Sequence, residues 1–142
     1  MLNNMIHIDN EEVIFETLWA IANLTDHGKD YVKQVIKHVS VNKLMKLLEE
    51  HDDDTIKEPV IRIIGNFCSG THANVEEVVR CGSLEVLQSI LSDPTQKEHT
   101  KSICWALSNV AADSNAYVKR LLDTGIVTSL VKIVLTNPLF NV

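Results

Sequence analysis

The chain has 142 residues, of which 45% are hydrophobic and 23% are charged, as in a single globular domain of ordinary composition. Its net charge of −6 argues against nucleic-acid binding, because contact with phosphate groups needs a basic surface. No apolar run approaches the roughly 20 residues of a membrane span, so we expect a soluble intracellular protein that binds neither nucleic acid nor membrane.

Apolar residues at helical spacing predict nine helices, and the alternating pattern of a β-strand does not occur, so we expect an all-α fold. In chain order the predicted helices span residues 11–25, 30–37, 41–50, 55–68, 73–80, 84–91, 96–112, 117–123 and 127–135. Gly82 and Gly125 follow two of the short helices, as expected for helix stops in the left-handed conformation. Val39 occupies that place in the first copy, and because valine does not reach positive φ readily, we expect a distorted corner there.

The fourth predicted helix has two notable features near its start. The carboxylates Asp52, Asp53 and Asp54 suit a helix amino terminus as caps and as partners of the helix dipole. Pro59 either kinks the helix or lies in its first turn. We favour a short turn followed by a main helix that begins at Pro59.

The helices recur with a period of 43 residues, and the apolar positions superimpose without gaps. Three columns illustrate this register: Val32, Val75 and Val118; Leu44, Leu87 and Leu130; Ile21, Ile64 and Leu107. The chain then divides into a partial repeat over residues 1–28, repeats over 29–71 and 72–114, and a partial repeat over 115–142. Three helices in a period of this length are typical of armadillo repeats, and HEAT repeats have a similar length.

A polar position recurs in the third helix of each repeat. An amide appears every 43 residues, and an indole or a guanidinium stands four residues before it: Trp19 and Asn23, Arg62 and Asn66, Trp105 and Asn109. Residues four apart lie on the same face of an α-helix, so the two members of each pair are neighbours. Packing alone does not explain such a series, which indicates a binding surface.

Segments 18–24 and 104–110 resemble the third-helix signature of armadillo repeats, and the Trp-x-x-x-Asn pairing is similar to that of importin-α, the adaptor that binds nuclear localisation signals. The resemblance covers residues 9–136, and the order Trp, Arg, Trp is similar to the middle-to-late repeats of that family. It implies a right-handed α-solenoid of armadillo repeats whose third helices line a concave groove. It further implies that the peptide-binding residues are Trp19, Asn23, Arg62, Asn66, Trp105 and Asn109, with the carboxylates Glu12 and Glu16.

The chemistry of these side chains suits an extended basic peptide. An asparagine can clamp a peptide main chain, because its amide both donates and accepts hydrogen bonds. Indoles form slots for the alkyl stems of lysine and arginine, and nearby carboxylates select their charged heads. Glu12 and Glu16 stand seven and three residues before Trp19. Ser102 takes the nearer place before Trp105, so a carboxylate is missing there.

Three interpretations stay open. The asparagines can brace neighbouring repeats through backbone hydrogen bonds, alone or in addition to binding a ligand. Arg62 can contact a ligand, or it can pair with a groove carboxylate and weaken the attraction for cations. Glu12 and Glu16 can be solvated surface rather than ligand contacts.

The resemblance implies a fragment of a nuclear import adaptor, located in cytoplasm and nucleus, that binds the basic nuclear localisation signals of cargo proteins. An importin-β-type receptor would bind only through parts missing here, since the chain has no basic amino-terminal segment. The alternative is a general armadillo scaffold for protein–protein interaction outside nuclear import. Self-association is a third hypothesis, because five apolar residues near the two ends lack obvious covers: Ile14, Phe15, Leu18, Val131 and Val134.

We expect no enzymatic activity, no cofactor and no metal site. No two of the six histidines are spaced i, i+3 or i, i+4, and the three cysteines form no Cys-x-x-Cys pair. A phosphate-binding glycine loop and a nucleophile elbow do not occur either. We interpret the cysteines (Cys68, Cys81 and Cys104) as small interior hydrophobes.

Overall fold

The computed structural model describes residues 10–51 and 54–136, and within these ranges every regular element is helical, which confirms the all-α prediction. The α-helices are α1 (Glu11–Asp26), α2 (Lys29–Val35), α3 (Val41–Glu50), α4 (Asp54–Cys68), α5 (His72–Arg80), α6 (Ser83–Ser92), α7 (Thr100–Asp113), α8 (Asn115–Asp123) and α9 (Ile126–Thr136). A 3₁₀ turn at Lys97–His99 directly precedes α7. The outer parts of the predicted partial repeats (residues 1–9 and 137–142) and the predicted caps Asp52 and Asp53 lie outside the described residues.

The helices pack in two rows. The long helices α1, α4 and α7 lie side by side, and α3, α6 and α9 form a second row beneath them. Each of the short helices α2, α5 and α8 contacts the long helix that precedes it in the chain. The core lies between the rows and contains the largest fully buried side chains, among them Leu18, Ile21, Leu44, Ile64, Phe67, Leu84, Leu87 and Ile103.

The backbone conformation at the corner after each short helix depends on the residue type at that position. Gly82 and Gly125 adopt the left-handed conformation with φ of 81° and 77°, as predicted. Among the described residues only glycines have positive φ, so Val39 does not adopt the glycine conformation. The first corner is distorted in another way, because α2 ends after seven residues whereas α5 and α8 have nine each, and Val39 itself is buried.

Two predictions about long-helix starts are wrong. Helix α4 runs without interruption from Asp54 through Pro59, because a proline near the amino terminus removes only one intrahelical hydrogen bond. The combination of a turn and a main helix occurs instead at 96–112, which was predicted as one helix. There the Asp93 carboxylate accepts hydrogen bonds from the Thr95 backbone N–H at 2.9 Å and from the Gln96 side-chain amide, which stabilises a turn in place of the first helical residues.

The expectation that both ends carry uncovered apolar residues is half correct. Ile14 and Leu18 are buried and Phe15 is half-buried, so the expectation is wrong at α1. Val131 and Val134 on α9 are exposed, as expected. In the parts of the chain that the structure describes, no helix is both long enough and apolar enough to cross a bilayer.

Candidate functional site

The predicted site residues lie on the three long helices. We call the side of α1, α4 and α7 that carries the Trp/Arg and Asn positions the rung face. Its members are Trp19 and Asn23 on α1, Arg62 and Asn66 on α4, and Trp105 and Asn109 on α7. Because each pair has the same i, i+4 spacing and the three helices pack side by side, the pairs form a row across the molecule.

The asparagine side chains link each long helix to the one before it. Asn66 donates through Nδ2 to the Ala22 carbonyl at 3.1 Å and to the Thr25 hydroxyl at 2.9 Å. Asn109 makes the equivalent bond, from Nδ2 to the Gly65 carbonyl, at 3.0 Å. The acceptors stand 44 residues before the donors in both cases, so one hydrogen bond is repeated between successive helices. This is the bracing role that the sequence left open.

The three amides differ in their accessibility. Asn66 is only 3% exposed, and it therefore presents almost nothing to a ligand in this structure. Asn109 is half-buried and Asn23 is exposed. Bracing and ligand contact are compatible for Asn109, because one amide offers two N–H donors and an acceptor oxygen.

Trp105 lies directly against the backbone of α4. A Cβ atom added to Gly65 would come within 2.3 Å of Cζ3 of the indole, so any larger residue would displace the ring. Trp105 is nevertheless 39% exposed, on the rung face. Gly65 was missed in the sequence, although an isolated glycine in a helical pattern is a signal of close packing.

Trp19 occupies the corresponding position on α1 and is half-buried. Its ring meets that of Phe15 edge to face, with 6.4 Å between the ring centroids and an interplanar angle of 72°. This is a favourable geometry for an aromatic pair and it fixes one side of the indole. Glu12 and Glu16 are exposed on the same helix, and Asn10 caps it by accepting hydrogen bonds from the Glu12 and Val13 backbone N–H groups at 3.1 and 3.3 Å.

Arg62 forms an ion pair with a residue of the neighbouring long helix. Its Nη2 donates to Oδ2 of Asp26 at 3.2 Å, and both side chains are partly exposed. Of the two interpretations of Arg62, the pairing with a carboxylate is the one that this structure contains. Asp26 was missed, since it stands at the end of its own helix and outside the recurring pattern.

A carboxylate from α4 reaches the place where α7 lacks one. The Ser102 hydroxyl, three residues before Trp105, donates a short hydrogen bond to Oε1 of Glu58. The other oxygen of Glu58 is 3.0 Å from Nδ1 of His99, whose Nε2 is 3.1 Å from Oδ1 of Asp54. His99 is only 1% exposed, so its ring links α4 to the start of α7 from the interior.

One group of side chains in this region has the composition of a metal site. Possible ligand atoms of Asp54, Glu98 and His99 lie within 4.8 Å of one another. Both ring nitrogens of His99 lie at hydrogen-bonding distance from carboxylates, so the same atoms already join the helices without an ion. That the chain needs no metal stays a prediction.

Burial makes the cysteines poor nucleophiles. Desolvation, with a further contribution from the negative charge of Asp113, raises the pKa of the Cys68 thiol to about 12. Desolvation also raises the pKa of Cys81 and of Cys104, which are half-buried. Thiols of this kind are packing groups, in line with the interpretation from the sequence.

No family model matches the chain. In sequence it is 29% identical to importin subunit alpha-1a of Oryza sativa subsp. japonica over 130 residues, which are 92% of the chain and 24% of that protein. It is 28% identical to importin subunit alpha-4 of Arabidopsis thaliana over 131 residues, again 92% of the chain and 24% of the relative. The chain therefore spans about a quarter of the length of these curated relatives.

Two solved structures with the same fold are designed armadillo repeat proteins. A designed armadillo repeat protein in complex with the peptide (KR)4 matches with a TM-score of 0.85 and 28% identity, over 94% of the chain and 55% of that protein. A second designed armadillo repeat protein matches with a TM-score of 0.86 and 25% identity, over 96% of the chain and 56% of that protein. The predicted armadillo solenoid and the predicted resemblance to importin-α are thereby confirmed.

Proposed function

We propose, on the premise that this chain is an armadillo-repeat protein similar to importin-α subunits, that its rung face binds extended peptides rich in lysine and arginine. The observation that carries the proposal is the Trp105–Asn109 pair, in which a fixed and partly exposed indole stands beside a half-buried amide. The structural neighbour that holds the peptide (KR)4 supports the same ligand class. The role is one of binding rather than of catalysis.

The indole would contact side chains of the ligand, and the amide would contact its main chain. The indole of Trp105 lies across Gly65 and offers its exposed part to the alkyl stem of a lysine or arginine. A cation above such a ring gains about 0.5–2 kcal/mol, depending on desolvation. Asn109 holds its position through the bond to Gly65, and its amide oxygen can accept from a peptide N–H.

Charge favours a basic ligand as well. The chain has a net charge of −6, and Glu12, Glu16 and Glu58 are all found on the long helices of the rung face. Attraction between a basic peptide and these carboxylates speeds encounter and weakens as salt screens it. The proposed contact residues form two parts of the face: Trp19, Asn23, Glu12 and Glu16 on α1, and Trp105 and Asn109 on α7. Helix α4 lies between them with Arg62, which pairs with Asp26, and with the buried Asn66, which braces the helices.

In the cell, the peptides we propose are nuclear localisation signals of cargo proteins. The support is the similarity to importin alpha subunits over 92% of the chain. On this proposal the protein works in cytoplasm and nucleus as part of an import adaptor. An importin-β-type receptor would be engaged by other parts of such an adaptor.

The test is a titration of the chain with fluorescently labelled (KR)4 at about 50 mM and about 500 mM salt, concentrations that bracket strong and weak screening. We expect binding at low salt that weakens severalfold at high salt. The double substitution Trp105→Ala and Asn109→Ala should reduce affinity at least tenfold, because it removes both the slot and the main-chain contact. Tyr31→Ala, which removes an exposed aromatic side chain of α2 and not of the long helices, is the matched control.

Two outcomes would count against this proposal. Absence of (KR)4 binding at low salt removes it for this chain. Tighter binding of an acidic peptide of equal length would favour the alternative, a general armadillo scaffold outside nuclear import.

A further inference from the structure

We infer that Glu58, which belongs to α4, supplies the carboxylate of the Trp105 slot and makes that slot selective for a positively charged side chain. The inference rests on the proposed function, since it names a specificity residue of the same face. Glu58 lies outside the recurring Trp/Asn pattern. From the neighbouring helix it would provide the carboxylate that α7 lacks at Ser102.

Glu58 lies close to the place where α7 lacks a carboxylate. On α1, the carboxylate of Glu16 stands three residues before Trp19, and on α7 Ser102 stands three residues before Trp105. The Ser102 hydroxyl donates to Oε1 of Glu58, so a carboxylate lies within one hydrogen bond of that place. A different helix therefore brings the same functional group to the equivalent point of the face.

Helices α4 and α7 are joined by two hydrogen bonds on either side of Trp105. Glu58 and Gly65 are seven residues apart on α4 and so lie on one side of that helix, two turns apart. Ser102 and Asn109 face them from α7, one bonded to Glu58 and the other to Gly65. Trp105 lies between Ser102 and Asn109 along α7, so its position on the helix is flanked by the bond to Glu58 on one side and by the bond of the Asn109 amide on the other.

The two cationic side chains next to Glu58 on α4 are directed to other partners. Arg62 is one turn away on α4, but its guanidinium pairs with Asp26 on α1. Lys57 is buried and directs its ammonium to the side-chain oxygen of Gln96 at 2.8 Å. His99 can carry one positive charge at most, and it faces Asp54, Glu58 and Glu98 together. The cluster stays negative whatever the protonation of the imidazole.

The carboxylate of Glu58 is preorganised. Both oxygens of Glu58 have a partner, Ser102 for Oε1 and His99 for Oε2, which fixes the carboxylate before a ligand arrives. The side chain is still 32% exposed, so a bound ammonium or guanidinium can reach it. A carboxylate held in advance loses little side-chain entropy on binding, which favours affinity.

The test compares Glu58→Gln with wild type in (KR)4 titrations at low salt. Glutamine keeps the shape and an acceptor for His99 but removes the charge, so we expect affinity to fall about three- to tenfold. Glu49→Gln on α3 changes the net charge equally at an exposed site away from the rung face and should leave affinity nearly unchanged. The double substitution Glu58→Gln and Ser102→Glu returns a carboxylate to α7 and should restore most of the affinity.

The outcomes separate this inference from the proposal beneath it. If Glu58→Gln binds (KR)4 as Glu49→Gln does while Trp105→Ala weakens binding, the inference is wrong and the proposed function stands. If wild type does not bind (KR)4, the proposed function itself fails. Thermal melting of each variant guards against misfolding, and loss of affinity in a Glu58→Gln protein that melts like wild type, followed by recovery in the double variant, supports the inference.

Discussion

Asn66 and Asn109 occupy equivalent positions on α4 and α7, yet only the second amide is accessible to solvent. Both donate to a backbone carbonyl of the preceding long helix. Asn66 also donates to Thr25, whose hydroxyl in turn donates to the Ile21 and Ala22 carbonyls at 2.9 Å. The asparagine of this repeat position is therefore purely structural on α4, whereas on α7 it is available for both structure and binding.

Substitution of Asn66 by alanine should lower the free energy of unfolding by about 1–3 kcal/mol, because buried partners lose a donor that water cannot replace. Asn109→Ala should have a smaller effect, since water can reach its half-buried surroundings. Asn23→Ala, at the exposed copy, is the control and should be nearly neutral. Urea denaturation measures all three, and equal effects of Asn66→Ala and Asn23→Ala would contradict the structural role.

At the scale of elements, the contact between α4 and α7 depends on Gly65. The glycine lets the indole of Trp105 lie on the helix backbone, where a methyl group would collide with the ring. Glycine within a helix is otherwise unfavourable relative to alanine, by about 1 kcal/mol. The chain thus retains a weak helix former at the point where the Trp105 slot is built.

Gly65→Ala should destabilise the folded protein by about 1–3 kcal/mol, because the ring or the helices must shift. The same change in a Trp105→Ala background should instead be neutral or stabilising by up to about 1 kcal/mol, since alanine favours the helix once the ring is gone. The measurement is a double-mutant cycle by chemical denaturation. An effect of Gly65→Ala that is the same in both backgrounds would show that the indole does not press on Gly65.

The helices and the Trp/Arg and Asn positions of the rung face were predictable, because both follow patterns that recur along the sequence. Apolar spacing located the nine helices, and Gly82 and Gly125 marked two of the helix stops. The start of α7 was not predictable, because a side chain of Asp93 outside the apolar pattern redirects the chain. Glu58 and Asp26 were missed for another reason: each acts on the neighbouring long helix, and the periodicity of a single helix does not show which side chains cross between helices.

At the scale of the whole molecule, the packed interior buries Cys68, whereas Cys81 and Cys104 are half-buried. Burial raises the pKa of Cys68 to about 12, above its ordinary value of 9.0. A thiol whose pKa is raised by folding favours the folded state below about pH 9. That contribution is lost as the pH rises from there towards 12, because the unfolded chain ionises first.

With iodoacetamide at pH 8, Cys81 and Cys104 should therefore react before Cys68, whose thiolate fraction is about one in ten thousand. The rate at each site should increase with pH as the thiolate fraction increases, up to the pKa. Peptide mass spectrometry resolves the three sites, and labelling in denaturant, where all should react alike, is the control. Modification of Cys68 as fast as Cys81 in the folded protein would disagree with its burial.

The hydrogen bond from an asparagine to the preceding long helix occurs twice. Asn109 connects α7 to α4, and Asn66 connects α4 to α1. In mechanical terms these are two similar links in series, and the link at Asn66 has a second hydrogen bond, to Thr25. A displacement imposed at one end of the row is shared between the links instead of being concentrated at one of them. We therefore expect a bend of this row to be spread over both contacts, so that the Trp105 indole stays beside the amide of Asn109.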